Sequence, residues 1–229
     1  MRLAIDAMGG DHAPGEIVRG VVDARDALPD DAFLLVGDPD AVGAELEAAG
    51  ADRDRLEVVP AAERVGMGES PVEAVRRKTD SSLRRAVELM ADDRADAVVS
   101  AGNTGAFVAA AHMIAKRLPG VRRPGISVVF PTVHGPVVVI DVGANVDSRP
   151  VHLLQYGLMA SVYAREFFGV GDPRVGILSI GEESQKGNEL AREARDLMDR
   201  SALNFLGNAE GRDIFNGRFD VVVCDGFVG

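Results

Sequence analysis

Short runs of β-branched and aliphatic residues alternate along this chain with longer stretches whose apolar positions recur every three to four residues. The short runs predict strands at residues 3–6, 32–36, 56–60, 96–100, 126–131, 137–141, 175–180, 203–206 and 221–224. Several are continuously apolar, such as Val137-Val138-Val139-Ile140 and Val221-Val222-Val223, as expected of strands covered on both faces. Helices are predicted between them. Ser70-Pro71-Val72-Glu73 reads as a helix start, with Ser70 as N-cap, Pro71 at the first helical position and Glu73 completing a capping box. Leu83, Val87 and Met90 follow at helical spacing, and Leu190, Ala194 and Leu197 make one apolar stripe. Pro150 opens a long helix that Gly169 can close. Its apolar residues lie on more than one face, which predicts deep burial or a subunit interface. Residues 38–55 read as a surface helix and turn.

Strand–helix alternation of this kind predicts an α/β fold, an α/β/α sandwich with a largely parallel sheet. No repeat or linker interrupts it, so residues 1–229 are expected to form a single domain. The last strand, 221–224, is followed by only five residues, where a covering helix is expected. The sequence therefore reads as a fragment of a longer chain.

Composition narrows the function classes. With 46% hydrophobic residues the chain can build a core, which excludes disorder. Its 25 basic against 36 acidic residues give a net charge of −11, which argues against a nucleic-acid partner. The single cysteine, Cys224, excludes an internal disulfide and a multi-cysteine metal site, so a cytoplasmic location is expected. The most apolar stretch, 106–115, is half the roughly 20 residues that a membrane-spanning helix needs.

In open α/β sheets ligands bind outside the carboxyl ends of the strands. Five strand ends run into polar or Gly-rich loops, at residues 6–12, 100–105, 141–147, 181–189 and 225–229, which predicts one cleft. Ser100-Ala101-Gly102-Asn103-Thr104-Gly105 leads into a helix predicted over 106–117. Free N–H groups at such a turn favour an anion, but this loop taken alone reads first as a tight βα turn with an N-cap. Neither a Walker phosphate loop nor a G-x-G-x-x-G fingerprint is present. Cys224 ends an apolar strand and reads as a core thiol. His12 is the best-placed histidine; His112 reads as a core or interface residue, His134 as a turn residue, and His152 stands in the first turn of its helix. Lys186 is one of three lysines and precedes the Leu190 helix, where its charge would add to the helix N-terminus. Asp6, Asp11, Asp141, Asp147 and Asp225 stand at strand ends, where they could bind a divalent metal or cap turns; capping is the preferred reading. Arg76-Arg77-Lys78 with Arg84-Arg85, and Lys116-Arg117 with Arg122-Arg123, form basic clusters suited to an acidic partner or to a solvated face.

Taken in order, Asp6-Ala7-Met8-Gly9-Gly10-Asp11, Ser100 to Ala106, Asp141-Val142-Gly143-Ala144-Asn145, Lys186-Gly187-Asn188-Glu189 and Asp225-Gly226-Phe227 closely resemble the PlsX family, the bacterial phosphate acyltransferases of phospholipid synthesis. The resemblance runs the length of the chain. It implies conversion of acyl–acyl-carrier-protein and inorganic phosphate into acyl phosphate, without a metal or organic cofactor. It implies a fold like isocitrate and isopropylmalate dehydrogenases and phosphotransacetylases, a homodimer, and loose membrane association through a C-terminal part not contained in these residues.

This chemistry suits the loops. Phosphate is its own nucleophile and a thiolate leaves readily, so no acyl-enzyme is needed. What is needed is to hold phosphate against the thioester and stabilise the oxyanion. Lys186, Asn103 and Asn145 are the candidate catalytic donors. Gly10, Asp11, His12, Ser100, Gly102, Thr104, Gly105, Asp141, Asn188 and Asp225 are candidate substrate-binding residues, and Arg76, Arg77 and Lys78 would dock the acidic carrier protein. No metal site is expected. Two other readings share these features: a phosphotransacetylase-type enzyme using an acyl-coenzyme A, and a non-catalytic module that binds the carrier protein.

Overall fold

The computed structural model describes residues 1–183 and 185–229; Ser184, within the fourth predicted loop, lies outside the described residues. The chain, expected from its sequence to be one domain, divides into two compact units, Met1–Lys116 and Arg117–Gly229.

The first unit is built on a four-stranded parallel sheet. Its strands are β1 (Arg2–Asp6), β2 (Ala32–Gly37), β3 (Leu56–Pro60) and β4 (Ala97–Val99), in the order β3-β2-β1-β4. Alternation along β2 shows why it must be apolar throughout. Phe33 and Leu35 point into one cluster with Val18 of α1 (Gly15–Ala27) and Val42 and Leu46 of α2 (Pro39–Ala48). Leu34 and Val36 point into another with Ala86 and Leu89 of α4 (Ser82–Ala91). Helix α3 (Pro71–Arg77) packs with α4 and α5 (Thr104–Ala110) through Val75, Leu83, Val87 and Ala106. The helix expected over 106–117 is shorter: α5 passes into a π-helical turn, Ala111–Ala115, that carries an exposed His112 rather than a core one.

Two helix starts differ in outcome. Asp38 caps α2 by accepting from the Asp40 and Ala41 N–H groups at 3.0 and 3.1 Å. Ser70 and Pro71 begin α3 as expected, but among the described residues Ser70 makes no capping hydrogen bond. Glu73 turns instead to Arg77 one turn on, at 3.3 Å, where the i,i+4 ion pair competes for its carboxylate.

The second unit holds a five-stranded sheet in the order β5-β6-β9-β7-β8. Its strands are β5 (Ser127–Thr132), β6 (Gly135–Ile140), β7 (Arg174–Leu178), β8 (Asn204–Ala209) and β9 (Val221–Val223). Only β5 runs antiparallel, paired to β6 across a tight turn that contains an exposed His134. Val138, Ile140, Val221 and Val223 face α6 (Pro150–Phe168) and α7 (Glu189–Asp199). Val137, Val139, Val222 and Cys224 face the other way, against Phe219 and Ala209.

Gly169, in the left-handed conformation, closes α6 as its sequence predicts. Within the chain α6 buries one stripe, Leu153, Tyr156, Gly157, Ala160 and Ala164, and leaves Leu158, Val162 and Phe167 exposed. On α7 the buried row is Ala194 and Met198 rather than Leu197, which is exposed. The i,i+4 row through Leu190 is the one that meets the sheet.

Candidate active site

The five polar loops divide between the units. Those after β1 and β4 belong to the first unit, and those after β6, β7 and β9 to the second.

In the first unit, pairing of β1 with β4 brings Asp6 beside Ser100. The Ser100 hydroxyl donates to Asp6 Oδ2 at 2.7 Å and accepts from the Gly102 N–H at 3.1 Å. A Cβ on Gly9 would stand 2.5 Å from that carboxylate oxygen, so glycine alone fits there. Asp6 is 2% exposed, and its Oδ1 is buried without a partner among the described residues. Asn103 caps α5 through the Ala106 N–H at 3.0 Å. Its Nδ2 donates to the carbonyls of Gly66, Met67 and Glu69 at 3.1–3.3 Å. Both amide hydrogens are thus engaged in pinning residues 66–69 to the start of α5. Asp11, His12, Thr104 and Gly105 are exposed. Gly10 and Asp11 border a recess of about 250 Å³ that Arg64 and Met67 also line.

In the second unit two of the strand-end carboxylates, Asp141 and Asp225, cap turns, whereas Asp147 is exposed and makes no cap among the described residues. Asp141, fully buried, accepts from the Ile126, Ala144 and Asn145 N–H groups and from Asn145 Nδ2, all at 2.8–3.1 Å. Asp225 Oδ1 accepts from the Phe227 and Val228 N–H groups, both at 2.9 Å. Among the described residues no group of three or more His, Cys, Asp or Glu side chains is placed to hold a metal. Asn145 divides its Nδ2 between Asp141 and the Pro124 carbonyl, at 2.8 and 2.7 Å, so its amide is engaged as fully as that of Asn103. The main-chain carbonyl of Asn145 accepts from the Gly226 N–H at 3.0 Å, which ties the β6 and β9 loops together.

The loop after β7 is held differently. Asn208 donates to the carbonyls of Gly181 and Glu183, and Asn188 caps α7 by accepting from the Ala191 N–H at 2.8 Å. Lys186 is exposed between them. Gly187 has φ +99°, and a Cβ there would stand 2.9 Å from Ser179 Oγ. That hydroxyl is buried without a partner among the described residues. Ser179 was hidden in a strand predicted to reach residue 180; β7 stops at Leu178, which turns Ser179 into a loop residue. The polar break in Ile177-Leu178-Ser179-Ile180 is the signal that could have found it.

A cavity of about 620 Å³ opens at this edge, with Ser179, Asn188 and Asp225 among its lining. Cys224, also in the lining, is 3% exposed and donates to the Asp141 carbonyl at 3.3 Å. Burial, then the nearby Asp225 and Asp141 charges, push its thiol up to about 12, so it is a protonated core thiol. His152 is buried at the start of α6, where Nδ1 accepts from the Arg149 N–H at 3.1 Å.

The first basic cluster is largely paired. Lys78 donates to Glu69 at 2.5 Å and to the Arg64 carbonyl at 2.8 Å, which makes it a brace rather than a free cation. Arg84 meets Glu88 and Arg85 meets Asp80. Arg76 and Arg77 remain exposed, the latter beside Glu73.

Residues 1–229 match the family model described as fatty acid synthesis protein. A protein named phosphate acyltransferase from Halothermothrix orenii is 48% identical over 231 residues, covering 100% of this chain and 69% of the relative. Proteins of the same name from a Nostoc species and from Desulforudis audaxviator are 51% and 52% identical, each over 100% of this chain and 67% of the relative. The chain belongs to this family of phosphate acyltransferases. The likeness to these phosphate acyltransferases spans the whole chain rather than one motif.

Solved structures extend the likeness to the fold alone. A phosphotransacetylase from Streptococcus pyogenes aligns with a TM-score of 0.72 at 18% identity, covering 100% of this chain and 78% of that one. A branched-chain phosphotransacylase from Enterococcus faecalis aligns at 0.63 and 14%, covering 100% and 81%. The α/β architecture with largely parallel sheets expected of this phosphate acyltransferase family member is the one found.

Proposed function

We propose that this chain transfers a fatty acyl group from an acyl–acyl-carrier-protein thioester to inorganic phosphate, giving the acyl phosphate used in phospholipid synthesis. Identity near 50% to proteins named phosphate acyltransferase, across the whole chain, carries this reading. A phosphate oxygen attacks the thioester carbonyl, a C–O bond forms, the C–S bond breaks and the carrier leaves as thiolate. The protein's part is to hold an anion against a carbonyl and to stabilise the oxyanion that forms.

Lys186 is the proposed catalytic cation, placed in the loop before the N-terminus of α7, where exposed N–H groups favour an anion. Asn103 and Asn145, whose amide hydrogens are already engaged, serve as positioning residues that fix the loops after β4 and β6. Ser100, Gly102, Thr104 and Gly105 with Gly10, Asp11 and His12 are the proposed substrate-binding set of the first unit, and Asp141, Asn188 and Asp225 that of the second. Arg76 and Arg77 form the proposed contact for the acidic carrier. A homodimer in the cytoplasm, loosely associated with the membrane, belongs to the same reading and is supported by the family resemblance; among the described residues no helix is long and apolar enough to cross a membrane.

The test is to incubate the chain with a long-chain acyl–carrier protein and phosphate, trap product with hydroxylamine and identify it by mass. A phosphate-dependent hydroxamate is expected. Product only from an acyl-coenzyme A, or none from either donor, would overturn the reading. Lys186→Ala is expected to lower kcat/KM about a hundredfold, the usual loss of one oxyanion donor, with a raised KM for phosphate.

A further inference from the structure

The 620 Å³ cavity of the second unit is amphipathic in a way that the phosphate chemistry alone does not require. Its polar side chains, Ser179, Asn188 and Asp225, all belong to the carboxyl edge of the sheet. Behind them the lining is hydrocarbon: Leu153 of α6, Ile177 and Leu178 of β7, and Leu190 and Ala191 of α7. Leu153 and Ile177 are 2% and 0% exposed, so this wall continues the core itself. At the lip Ile180 is 85% exposed, an apolar side chain left in water beside an apolar opening.

Three physical facts limit what such a space can hold. Its volume lies within the roughly 300–1,000 Å³ of small-molecule sites. Its hydrocarbon walls offer water few hydrogen-bond partners, so an apolar group gains by replacing it there. The thiol of Cys224 is already committed to the Asp141 carbonyl and carries no charge, so the inner wall offers no recognition of a polar group. The edge differs: the Ser179 hydroxyl is buried and unpartnered among the described residues, and the N-terminus of α7 lies beside it. Asp225 on the same edge spends one oxygen on the Phe227 and Val228 N–H groups, and its charge turns an anion toward Ser179 and the start of α7, so a ligand with one anionic end and one hydrocarbon end matches both parts.

We propose that this cavity takes the hydrocarbon tail of the acyl group, with the carbonyl and phosphate end at the polar edge, and that Ala191 sets the length of tail that fits. This rests on the acyl-transfer reading above and adds the tail site to it. Ala191 is suited to the role because its backbone is fixed by the Asn188 cap. Its methyl group lines the cavity, so a larger side chain at this position takes up part of the volume.

Butyl, octyl and dodecyl phosphate, titrated onto the chain by calorimetry, test it. Affinity is expected to rise about fourfold for each methylene that enters the cavity. Ala191→Phe is expected to cut the dodecyl-to-butyl affinity ratio at least tenfold. Dodecyl phosphate with a terminal diazirine, photolysed on the unsubstituted chain, is expected to label Leu153 or residues 187–191, which decides the matter even if the variant fails to fold. Affinity independent of chain length, or label confined elsewhere, would overturn the proposal. The hydroxamate assay separates the two readings. Acyl phosphate formed without length-dependent binding defeats the tail site alone. Length-dependent binding that is labelled in the cavity, without hydroxamate, supports the tail site and defeats the catalytic reading.

Discussion

His152 is held neutral by its surroundings. Burial first, and then the Arg123, Arg149 and Arg122 charges, lower its pKa below the ordinary value of 6.5. Its Nδ1 also has to stay unprotonated to accept from the Arg149 N–H. Above about pH 6.5 both the folded and unfolded states are neutral at this ring. Below that, the unfolded chain binds a proton that the folded chain refuses, so stability falls as pH drops from the unfolded value toward the depressed folded one. Glu69, Asp80, Asp96 and Asp220, all with lowered pKa values, act in the same direction only at more acid pH. The expected result is a Tm that declines as pH falls below about 6.5, with a smaller decline in His152→Asn; an unchanged slope in the variant would remove His152 as the cause. Other single residues were legible in the sequence where their chemistry is local. Asp141 and Asp225 cap turns because the carboxylate meets the N–H groups that follow it in the chain, whereas Asp6, at the end of β1, accepts from the Ser100 hydroxyl of a distant loop instead. The engaged amides of Asn103 and Asn145 were not legible, because the Met67 and Pro124 carbonyls that hold them come from distant parts of the sequence.

At the level of elements, a buried-strand pattern is a strong signal because both faces must be filled, and the nine predicted strands all form within about two residues, apart from a later end to β8. Helix details depend on side chains that have a choice. Glu73 could close a box with Ser70 or pair with Arg77, and the ion pair prevails. Arg174, at the start of β7, is joined to Asp220 just before β9. The carboxylate accepts from Arg174 Nε and Nη2, both at 2.9 Å, and from the Arg174 N–H at 2.8 Å. Burial opposes the charge of Asp220, but these bonds outweigh it and keep the carboxyl below its ordinary range. Asp220→Ala leaves the guanidinium and a backbone N–H short of a partner at the junction of two central strands. A loss of about 2 kcal/mol is expected in urea unfolding, against near zero for an exposed pair such as Arg19–Glu16. Helix α3 gives the functional counterpart. Arg76→Glu with Arg77→Glu reverses its exposed charge, and the apparent KM for the acyl-carrier donor is expected to rise severalfold at low salt and less at high salt. An unaltered KM would place carrier docking on another surface.

For the whole molecule, the division at Lys116 means that each sheet has its own cover. In the first unit β2 is sandwiched between α1 and α2 on one face and α4 on the other, with α3 and α5 completing a third cluster. The second unit fills both faces of its sheet from its own residues. The boundary follows the π-helical turn and carries a signal in the sequence: Pro119-Gly120 and Pro124-Gly125 stand within nine residues of it, and their pattern of breakers could have marked the passage between units. A sheet whose strands are adjacent in space and whose helices all lie within one segment satisfies the requirements of an independent folding unit, and about 100 residues is an ordinary size for one. Residues 1–116 expressed alone are therefore expected to give α/β circular dichroism and a single cooperative urea transition. They should retain the Asp6–Ser100 loop geometry and bind no alkyl phosphate tail, since the apolar cavity belongs entirely to the other unit. A non-cooperative transition, or exposed hydrophobic surface detected by dye binding, would show that the first sheet depends on the second unit for its stability.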